Sequence, residues 1–294
     1  MITRGWRKPR PLFAEGNVGE MNNRREPLYE QAEAACLQER ECLRKKYDGA
    51  KFSLLVEHIG LCRRLVDIGC GWGQLLAVVQ DRVPEVWGVD ESPDRVKDIT
   101  EACSKANVLI CRADKLGLPS KYFDVAVTSQ MLHEVKLFGE QSELQMVLHE
   151  IRRILVDGGR YLLLDHLDAG DGEVTVSVPQ ERIRQLAQFE DKFKYYRALH
   201  NEIGRGVVRM SRRCLQDFMT KVWSLDSPME SIEMNETHNV FTERQVHELV
   251  EDAQFTVERW ILLSDIREDL ERWKGELVAG EGWFRKFLLV ATTS

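Results

Sequence analysis

The stretch Val66-Asp-Ile-Gly-Cys-Gly-Trp-Gly73 decides the fold. It ends a short apolar run and places glycines at the alternate positions 69, 71 and 73. Glycine lets a backbone turn tightly and approach a ligand without contact from a Cβ atom. The helix expected behind it, over 74–80, offers free backbone amides and the positive end of its dipole. The stretch therefore predicts a strand, a glycine turn and a helix that together bind a ligand.

The same strand–helix unit repeats along the chain. Further apolar runs lie at 86–90, 108–111, 123–128, 161–165, 255–263 and 283–291. The segments between them read as amphipathic helices, and two capping boxes, Ser142 with Gln145 and Thr242 with Gln245, mark helix starts. Short buried strands that alternate with such helices form a parallel sheet covered on both faces. The sequence predicts an α/β fold with a doubly wound, mainly parallel seven-stranded sheet.

The pattern divides the chain into four parts. They are an N-terminal arm and helix (1–45), a Rossmann-like ligand-binding core (46–169), a helical lid inserted after strand five (170–240) and the C-terminal part of the core sheet (241–294). Two charged stretches, at about 180–203 and 211–223, give the lid its expected helical character. Ligands bind at the carboxyl edge of such sheets, so we expect the lid to cover the site.

Composition excludes several classes of protein. Of the 294 residues, 43% are apolar and 30% are charged, as is typical of a soluble globular protein. The net charge of −7 disfavours nucleic acid as a partner, and no apolar stretch approaches the roughly 18 residues of a membrane span. Seven scattered cysteines without a Cys-x-x-Cys pair indicate reduced thiols, a cytoplasmic location and no metal site. The oligomeric state stays open.

Acids downstream of the glycine turn complete a family resemblance. The turn resembles the first signature of the class I S-adenosylmethionine-dependent methyltransferases, acid-x-Gly-x-Gly-x-Gly. Asp90 ends the second strand, 17 residues after Gly73. Ala113-Asp114-Lys-Leu-Gly-Leu-Pro119 resembles the family's Asp-x-x-x-Leu-Pro run, and Tyr122-Phe-Asp-Val125 its fourth-strand start. The resemblance covers about residues 50–168, and more loosely 241–291, and it identifies no subfamily.

The resemblance implies S-adenosyl-L-methionine as cofactor and S-adenosyl-L-homocysteine as product. In the family the glycine turn holds the amino-acid part, the acid at Asp90 accepts from the ribose hydroxyls, and the acid at Asp114 accepts from the adenine amino group. The residues that it assigns to the cofactor are Asp67, Gly69, Cys70, Gly71, Gly73, Asp90, Glu91, Ala113, Asp114, Lys115 and Gln130.

The sequence identifies the residues of the methyl-acceptor site less specifically than those of the cofactor site. A sulfonium makes its methyl group electrophilic, so the enzyme mainly aligns a nucleophile, and a base is needed only when the acceptor arrives protonated. The candidates lie where strands four and five end and before the last core helix. They are His133, His166, Glu236 and His238. A histidine near position 133 recurs in family members with unrelated substrates, so a structural role for it stays open.

Three functions compete. The favoured one is methyl transfer to a small-molecule acceptor enclosed by the lid. Between Pro179 and Cys214 nine basic residues face four acidic ones, so an anionic acceptor is one hypothesis and solvated ion pairs are the other. An RNA or protein methyltransferase is the second function, although Thr128-Ser-Gln-Met131 lacks the Asn/Asp-Pro-Pro-aromatic run of base N-methylation. A non-catalytic binding or scaffold protein is the third. Gln74 disfavours a nicotinamide oxidoreductase, whose fingerprint is Gly-x-Gly-x-x-Gly.

Overall fold

The computed structural model describes residues 49–139 and 141–294. Its strands are β1 (Arg64–Ile68), β2 (Glu85–Asp90), β3 (Ala106–Ile110), β4 (Phe123–Ser129), β5 (Leu155–His166), β6 (Glu173–Ser177), β7 (His200–Gly204), β8 (Val207–Ser211), β9 (Phe255–Asp265), β10 (Glu276–Ala279) and β11 (Phe284–Thr293). The predicted N-terminal arm and helix at 1–45 lie outside the described residues.

Helices connect most of these strands. They are α1 (Gly49–Ile59), α2 (Gln74–Val79), α3 (Pro93–Ala102), α4 (Leu132–Phe138), α5 (Gln141–Ile154), α6 (Gln180–Lys192), α7 (Arg212–Lys221), α8 (Glu230–Glu233), α9 (Glu243–Asp252) and α10 (Ile266–Arg272). Two begin as the sequence indicates. Ser92 caps α3 with proline next to it, and Thr242 and Gln245 form the reciprocal capping box of α9.

A seven-stranded sheet forms the core, in the order β3-β2-β1-β4-β5-β11-β9. β1 pairs in parallel with β2 on one side and β4 on the other, and β11 runs antiparallel to β5 and β9. The predicted mainly parallel seven-stranded sheet is confirmed. The strand order changes direction between β1 and β4, and ligands of such sheets bind outside the carboxyl ends at this switch point.

Helices cover both faces of the sheet, because alternate residues of a strand point to opposite sides. Val66 and Ile68 of β1 pack into a cluster with Leu148 and Ile151 of α5. Their neighbour Leu65 packs into a second cluster, which holds residues of α1, α2 and α3. The continuous apolar character of the parallel strands follows from this burial on both faces.

A second sheet stands at the carboxyl edge of the first. It has four antiparallel strands in the order β10-β6-β8-β7, with α6 and α7 packed on it. The expectation of a purely helical lid is therefore corrected. Helix α6 ends at Lys192, and the expected helix over 180–203 instead leads into strand β7. Gly206, with φ of 78°, turns the chain between β7 and β8.

Alternation explains the strands that the sequence analysis missed. Along β8 the side chains alternate between buried and more exposed, the period of a strand with one covered face. The C-terminal part also differs from its expected role as core sheet, since β10 pairs with β6 of the second sheet. Over the part of the chain that the structure describes, no helix combines the length and apolar character that crossing a membrane requires.

Candidate functional site

The glycine turn leaves the carboxyl end of β1 and enters α2. The amides of Gly69 and Cys70 both donate to the carbonyl of Val89 in β2, over 2.8 and 3.0 Å. The backbone φ angles of Gly69, Gly71 and Gly73 are 71°, 54° and 73°, a range that residues with a side chain rarely adopt. The turn is thus tied to the end of the neighbouring strand.

The three glycines face different surroundings. A Cβ atom on Gly69 would lie 2.6 Å from Met131 Cγ, and one on Gly73 would lie 3.1 Å from a methyl of Ile99. At Gly71 the nearest atom would be Gln74 Oε1, at 4.0 Å. Gly71 therefore borders open space, where a ligand can approach the backbone.

The Asp90 carboxylate lies against this turn at the end of β2. It is 5% exposed and accepts hydrogen bonds from the Gly71 amide at 2.9 Å and the Ser92 amide at 3.0 Å. The Arg95 guanidinium lies 3.7 Å from Asp90 Oδ1, the oxygen that accepts from Ser92. Asp67, one residue before the end of β1, is also buried. A buried carboxylate thus lies beside the glycine backbone and the start of a helix. Together these groups supply the hydrogen-bond donors and acceptors that suit a polar, partly cationic ligand.

Two neighbours of this turn have shifted pKa values. The surrounding protein partly desolvates the Glu91 carboxyl, and this desolvation, followed by the charge of Asp90, raises its pKa to about 7. Burial raises the pKa of the Cys70 thiol well above its usual value, with help from Asp67 and Asp90. Cys70 therefore stays a neutral thiol, buried between Gly69 and Gly71.

The residues after β3 form a turn with a fixed carboxylate. Asp114 accepts both a 2.8 Å and a 2.9 Å hydrogen bond from the Arg112 guanidinium, which also reaches Glu143 of α5 at 3.2 Å. The Lys115 amide donates to the Arg112 carbonyl, and Ala113 packs against the core. The predicted adenine contact is thus held in place by an arginine that the sequence analysis did not consider.

His133 begins the acceptor side, at the start of α4 just after β4. Its Nδ1 donates to Asp165 Oδ1 over 2.7 Å, and its backbone amide donates to Asp165 Oδ2 over 3.1 Å. Both side chains are buried. Burial acts to lower the pKa of His133, but the Asp165 carboxylate outweighs it and raises the pKa above its usual value. The bond to Asp165 fixes the orientation of the His133 ring, and Nε2 is the ring nitrogen that Asp165 does not contact.

Two more imidazoles lie beside His133. The rings of His166 and His238 are stacked, with centroids 3.9 Å apart, and stand edge-on to His133 at 5.0 and 5.3 Å. The side-chain amide of Gln130, which has φ of 57°, forms a 2.8 Å hydrogen bond with His166 Nε2. Burial lowers the pKa of His166 and of His238 well below the usual value, so both rings are neutral at neutral pH. We call His133, His166 and His238 the histidine cluster.

A buried aspartate in α7 brings His238 to the cluster. Asp217 accepts hydrogen bonds from the His238 amide at 2.7 Å, the Thr237 hydroxyl at 2.7 Å, the Asn239 amide group at 2.9 Å and the Tyr196 hydroxyl at 3.0 Å. The second sheet's helix thereby holds the segment 237–239 over the end of β5.

A buried lysine lies on the other side of His238. Lys221 Nζ is 3.0 Å from Glu233 and 3.5 Å from Glu236, and Glu236 is 3.8 Å from His238 Nε2. Burial acts to lower the pKa of Lys221, but Glu233 and Glu236 outweigh it and raise the pKa. The lysine is therefore the countercharge of both glutamates.

The structure brings the four predicted acceptor-side residues together, although they come from three distant segments. Sequence reasoning missed Asp165, Asp217 and Lys221. Asp165 could have been found, because it precedes His166 at the end of a strand. Asp217 and Lys221 could not, since they read as the polar face of a charged helix.

Three of the nine basic residues of the lid form ion pairs with acids. Arg213 pairs with Asp168 at 2.8 Å and Asp171 at 2.7 Å, Lys192 with Asp226 and Glu230, and Arg212 with Glu281. Others are exposed: Arg184, Lys194, Arg197, Arg205 and Arg209. These pairs favour the ion-pair interpretation of the charge run over recognition of an anionic acceptor.

A family model matches the part of the chain that forms much of this site. The family model described as "Methyltransferase domain" matches residues 66–163, which hold the glycine turn, Asp90, Asp114 and His133. The chain therefore carries a methyltransferase domain over these residues. The match covers β2 to β4 and most of β1 and β5, which are five of the seven strands and include the switch point.

Curated relatives match about a third of the chain in sequence. The chain is 28% identical to the uncharacterized methyltransferase YcgJ of Bacillus subtilis over 108 residues, which is 35% of this chain and 40% of that protein. It is 35% identical over 108 residues to the probable non-canonical nonribosomal peptide synthetase CymA of Salinispora arenicola, which is 35% of this chain and 1% of CymA. The matched segment thus spans less than half the length of these curated relatives.

Solved structures share the fold across more of the chain. The 1,6-didemethyltoxoflavin-N1-methyltransferase of Burkholderia thailandensis, with 1,6-didemethyltoxoflavin and S-adenosylhomocysteine bound, has a TM-score of 0.52 and 15% identity. That likeness covers 96% of this chain and 92% of the other. The structure of YcgJ has a TM-score of 0.51 and 13% identity, with 84% and 99% covered.

Proposed function

We propose that the protein transfers the methyl group of S-adenosyl-L-methionine to a small-molecule acceptor by in-line displacement. One observation carries the proposal. Gly69 of the cofactor turn packs against Met131, which lies two residues before His133 of the histidine cluster. The expected donor site and the expected acceptor site therefore adjoin at the switch point of one sheet.

The residues at the glycine turn suit the cofactor. Gly71 borders open space, and a Cβ atom there would stand between the backbone and a ligand. Asp90 accepts from two amides through different oxygens, and each oxygen keeps a lone pair for a ribose hydroxyl. Asp114, fixed by Arg112, offers a carboxylate to the adenine amino group. Asp67, Glu91, Lys115 and Gln130 complete the proposed cofactor side.

When bound, S-adenosyl-L-methionine supplies an electrophilic methyl group on a sulfonium. The chain's own residues then have to align the acceptor and favour loss of its proton. We assign this to the histidine cluster with Glu236, because their side chains are buried and converge where β4 and β5 end. The second sheet, anchored through Asp217, encloses the acceptor and excludes water.

The burial of the histidine cluster bears on the two alternative functions. An RNA or protein acceptor would have to reach histidines that are 8% exposed or less. That burial favours a small molecule, and the toxoflavin methyltransferase, which shares the fold, binds one. A non-catalytic scaffold would have no evident use for the buried cluster. The cysteines in the described part of the chain are free, which supports a reducing cytoplasmic location.

A label-transfer experiment tests the proposal. The protein is incubated with S-adenosylmethionine that carries a radiolabelled methyl group and with a cell extract, and the products are separated into small molecules, RNA and protein. Label in the small-molecule fraction is the expected result. Label in RNA or protein alone would contradict the acceptor class, and cofactor binding without transfer to any fraction would favour the scaffold. A His133→Ala variant is the control for catalysis at this site.

A further inference from the structure

The histidine cluster has a feature that acceptor binding alone leaves unexplained. It gathers three of the chain's seven histidines, and one ring nitrogen from each lies within 4.8 Å of the others. His133, His166 and His238 are 4%, 2% and 8% exposed. Packing buried imidazoles together costs free energy unless their nitrogen atoms have hydrogen-bond partners or ligands.

Each of the three rings has one nitrogen that lies next to a polar side chain. Asp165 accepts from His133 Nδ1, the Gln130 amide lies 2.8 Å from His166 Nε2, and Glu236 lies 3.8 Å from His238 Nε2. When the Gln130 amide presents its oxygen to the ring, it accepts from His166 Nε2 and leaves the lone pair on Nδ1. Second partners of this kind, above all a carboxylate behind an imidazole, fix the ring and its tautomer at metal sites. The arrangement therefore resembles a ligand set together with its supporting shell.

The remaining nitrogens point to a ligand. His166 Nδ1 and His238 Nδ1 are buried and have no hydrogen-bond partner among residues 49–139 and 141–294. A buried polar atom without a partner costs about 1–3 kcal/mol, so two adjacent ones need an explanation.

We propose that His133, His166 and His238 bind one divalent transition-metal ion. Imidazole ligands suit zinc, copper, iron and nickel, and three protein ligands leave a position open in catalytic sites. A tetrahedral zinc site spaces its nitrogen ligands about 3.4 Å apart, so the nitrogens approach one another by at most about 1.4 Å. The stacked rings of His166 and His238 also have to turn, because an imidazole lone pair lies in the plane of its ring. This departs from the sequence prediction of no metal site, which rested on the cysteines.

The ion also narrows the class of acceptor, and this part alone rests on the proposed function. An acceptor with an oxygen or nitrogen lone pair would occupy the open position and be oriented by it. Asp165, Glu236 and Glu233 supply negative charge around the ion, and Lys221 offsets part of it. A neutral or monoanionic chelating acceptor fits this balance.

Metal titration tests the site without any methyl acceptor. Protein stripped with a chelator is titrated with zinc chloride in a calorimeter, and separately with cobalt(II) while the visible spectrum is recorded. We expect one ion per chain and the intense d–d bands of low-coordinate cobalt. His166→Ala and His238→Gln should abolish both signals, and Asp165→Asn should weaken zinc binding by about 10–100-fold. His149→Ala removes an exposed histidine and should change neither.

Two results would overturn the metal proposal. One is a folded wild-type protein that binds neither ion. The other is one-to-one binding that persists unchanged in folded His166→Ala and His238→Gln variants, with folding checked by circular dichroism. Failure here is distinguishable from failure of the proposed function, because S-adenosylhomocysteine binding at the glycine turn is measured on the same samples. A protein that binds zinc but no S-adenosylhomocysteine would keep the metal site and lose the methyltransferase proposal.

Discussion

The Asp90 Oδ2 atom accepts a hydrogen bond from the Gly71 amide over 2.9 Å. This bond ties the end of β2 to the turn that follows β1, so the carboxylate and the glycine backbone face the same space. Asp90 Oδ1 meanwhile accepts from Ser92 at the start of α3. The expected cofactor site is therefore fixed by bonds between neighbouring elements before any ligand binds, which lowers the entropy cost of binding.

The first prediction separates two glycines of the turn. Gly69→Ala should lower the melting temperature strongly, because the new Cβ would lie 2.6 Å from Met131 Cγ. Gly71→Ala meets no such contact and should cost only the strain of its positive φ, about 1–2 kcal/mol, while weakening S-adenosylhomocysteine binding. Thermal unfolding and calorimetry measure the two effects. Equal losses of stability with cofactor affinity intact in Gly71→Ala would contradict the assignment.

The second prediction concerns pH. The pKa of Glu91 is about 7, raised first by the surrounding protein and then by Asp90, whereas an unfolded glutamate titrates near 4.5. Between these values the unfolded chain has lost the proton that the folded protein keeps, so this group makes the protein less stable as pH rises. Glu91→Gln removes the penalty. Its gain in melting temperature should be larger at about pH 8 than at about pH 5, and a gain independent of pH would refute the shift.

The third prediction tests the buried countercharge. Lys221→Met leaves Glu233 and Glu236 buried without that cation and should cost about 3–5 kcal/mol in urea unfolding. Adding Glu233→Gln should recover part of the loss. Lys105→Met is the control, because its pair with Asp81 is exposed and should be worth less than about 1 kcal/mol. A cost for Lys221→Met as small as that of the control would show the network to be unimportant.

The fourth prediction separates the acceptor side from the cofactor side. His133→Ala should leave S-adenosylhomocysteine affinity nearly unchanged and lower turnover of the acceptor found by label transfer about 100-fold, because a group that aligns the acceptor is lost. His149→Ala, on the exposed face of α5, should change neither quantity. Loss of cofactor affinity with unchanged turnover per bound cofactor would place His133 on the wrong side of the site.

Local signals were enough to predict the core. The glycine turn, the apolar runs and the capping residues are read within a few positions of one another, and the predicted seven-stranded sheet followed from them. The acids at 90 and 114 could be placed at strand ends for the same reason, since the carboxyl ends of parallel strands meet at one edge.

Long-range contacts could not be predicted. Strand β10 pairs with β6, about 100 residues earlier, and completes a sheet where helices alone were expected. Asp217 and Lys221 bury their charges only because the segment around His238 folds back on α7. Neither helix periodicity nor composition carries that information, because a charged residue in an amphipathic helix ordinarily faces solvent.

Calorimetric titration with S-adenosylmethionine and S-adenosylhomocysteine tests the central claim most directly. The wild-type protein should bind both at micromolar concentration, and Asp90→Ala should bind at least about 100-fold more weakly, because it loses a buried charged acceptor of two hydroxyls. Asp94→Asn, an exposed acid in the first turn of α3, should bind like the wild type. A folded wild-type protein that binds neither compound, or an Asp90→Ala variant that binds both unchanged, would contradict the account.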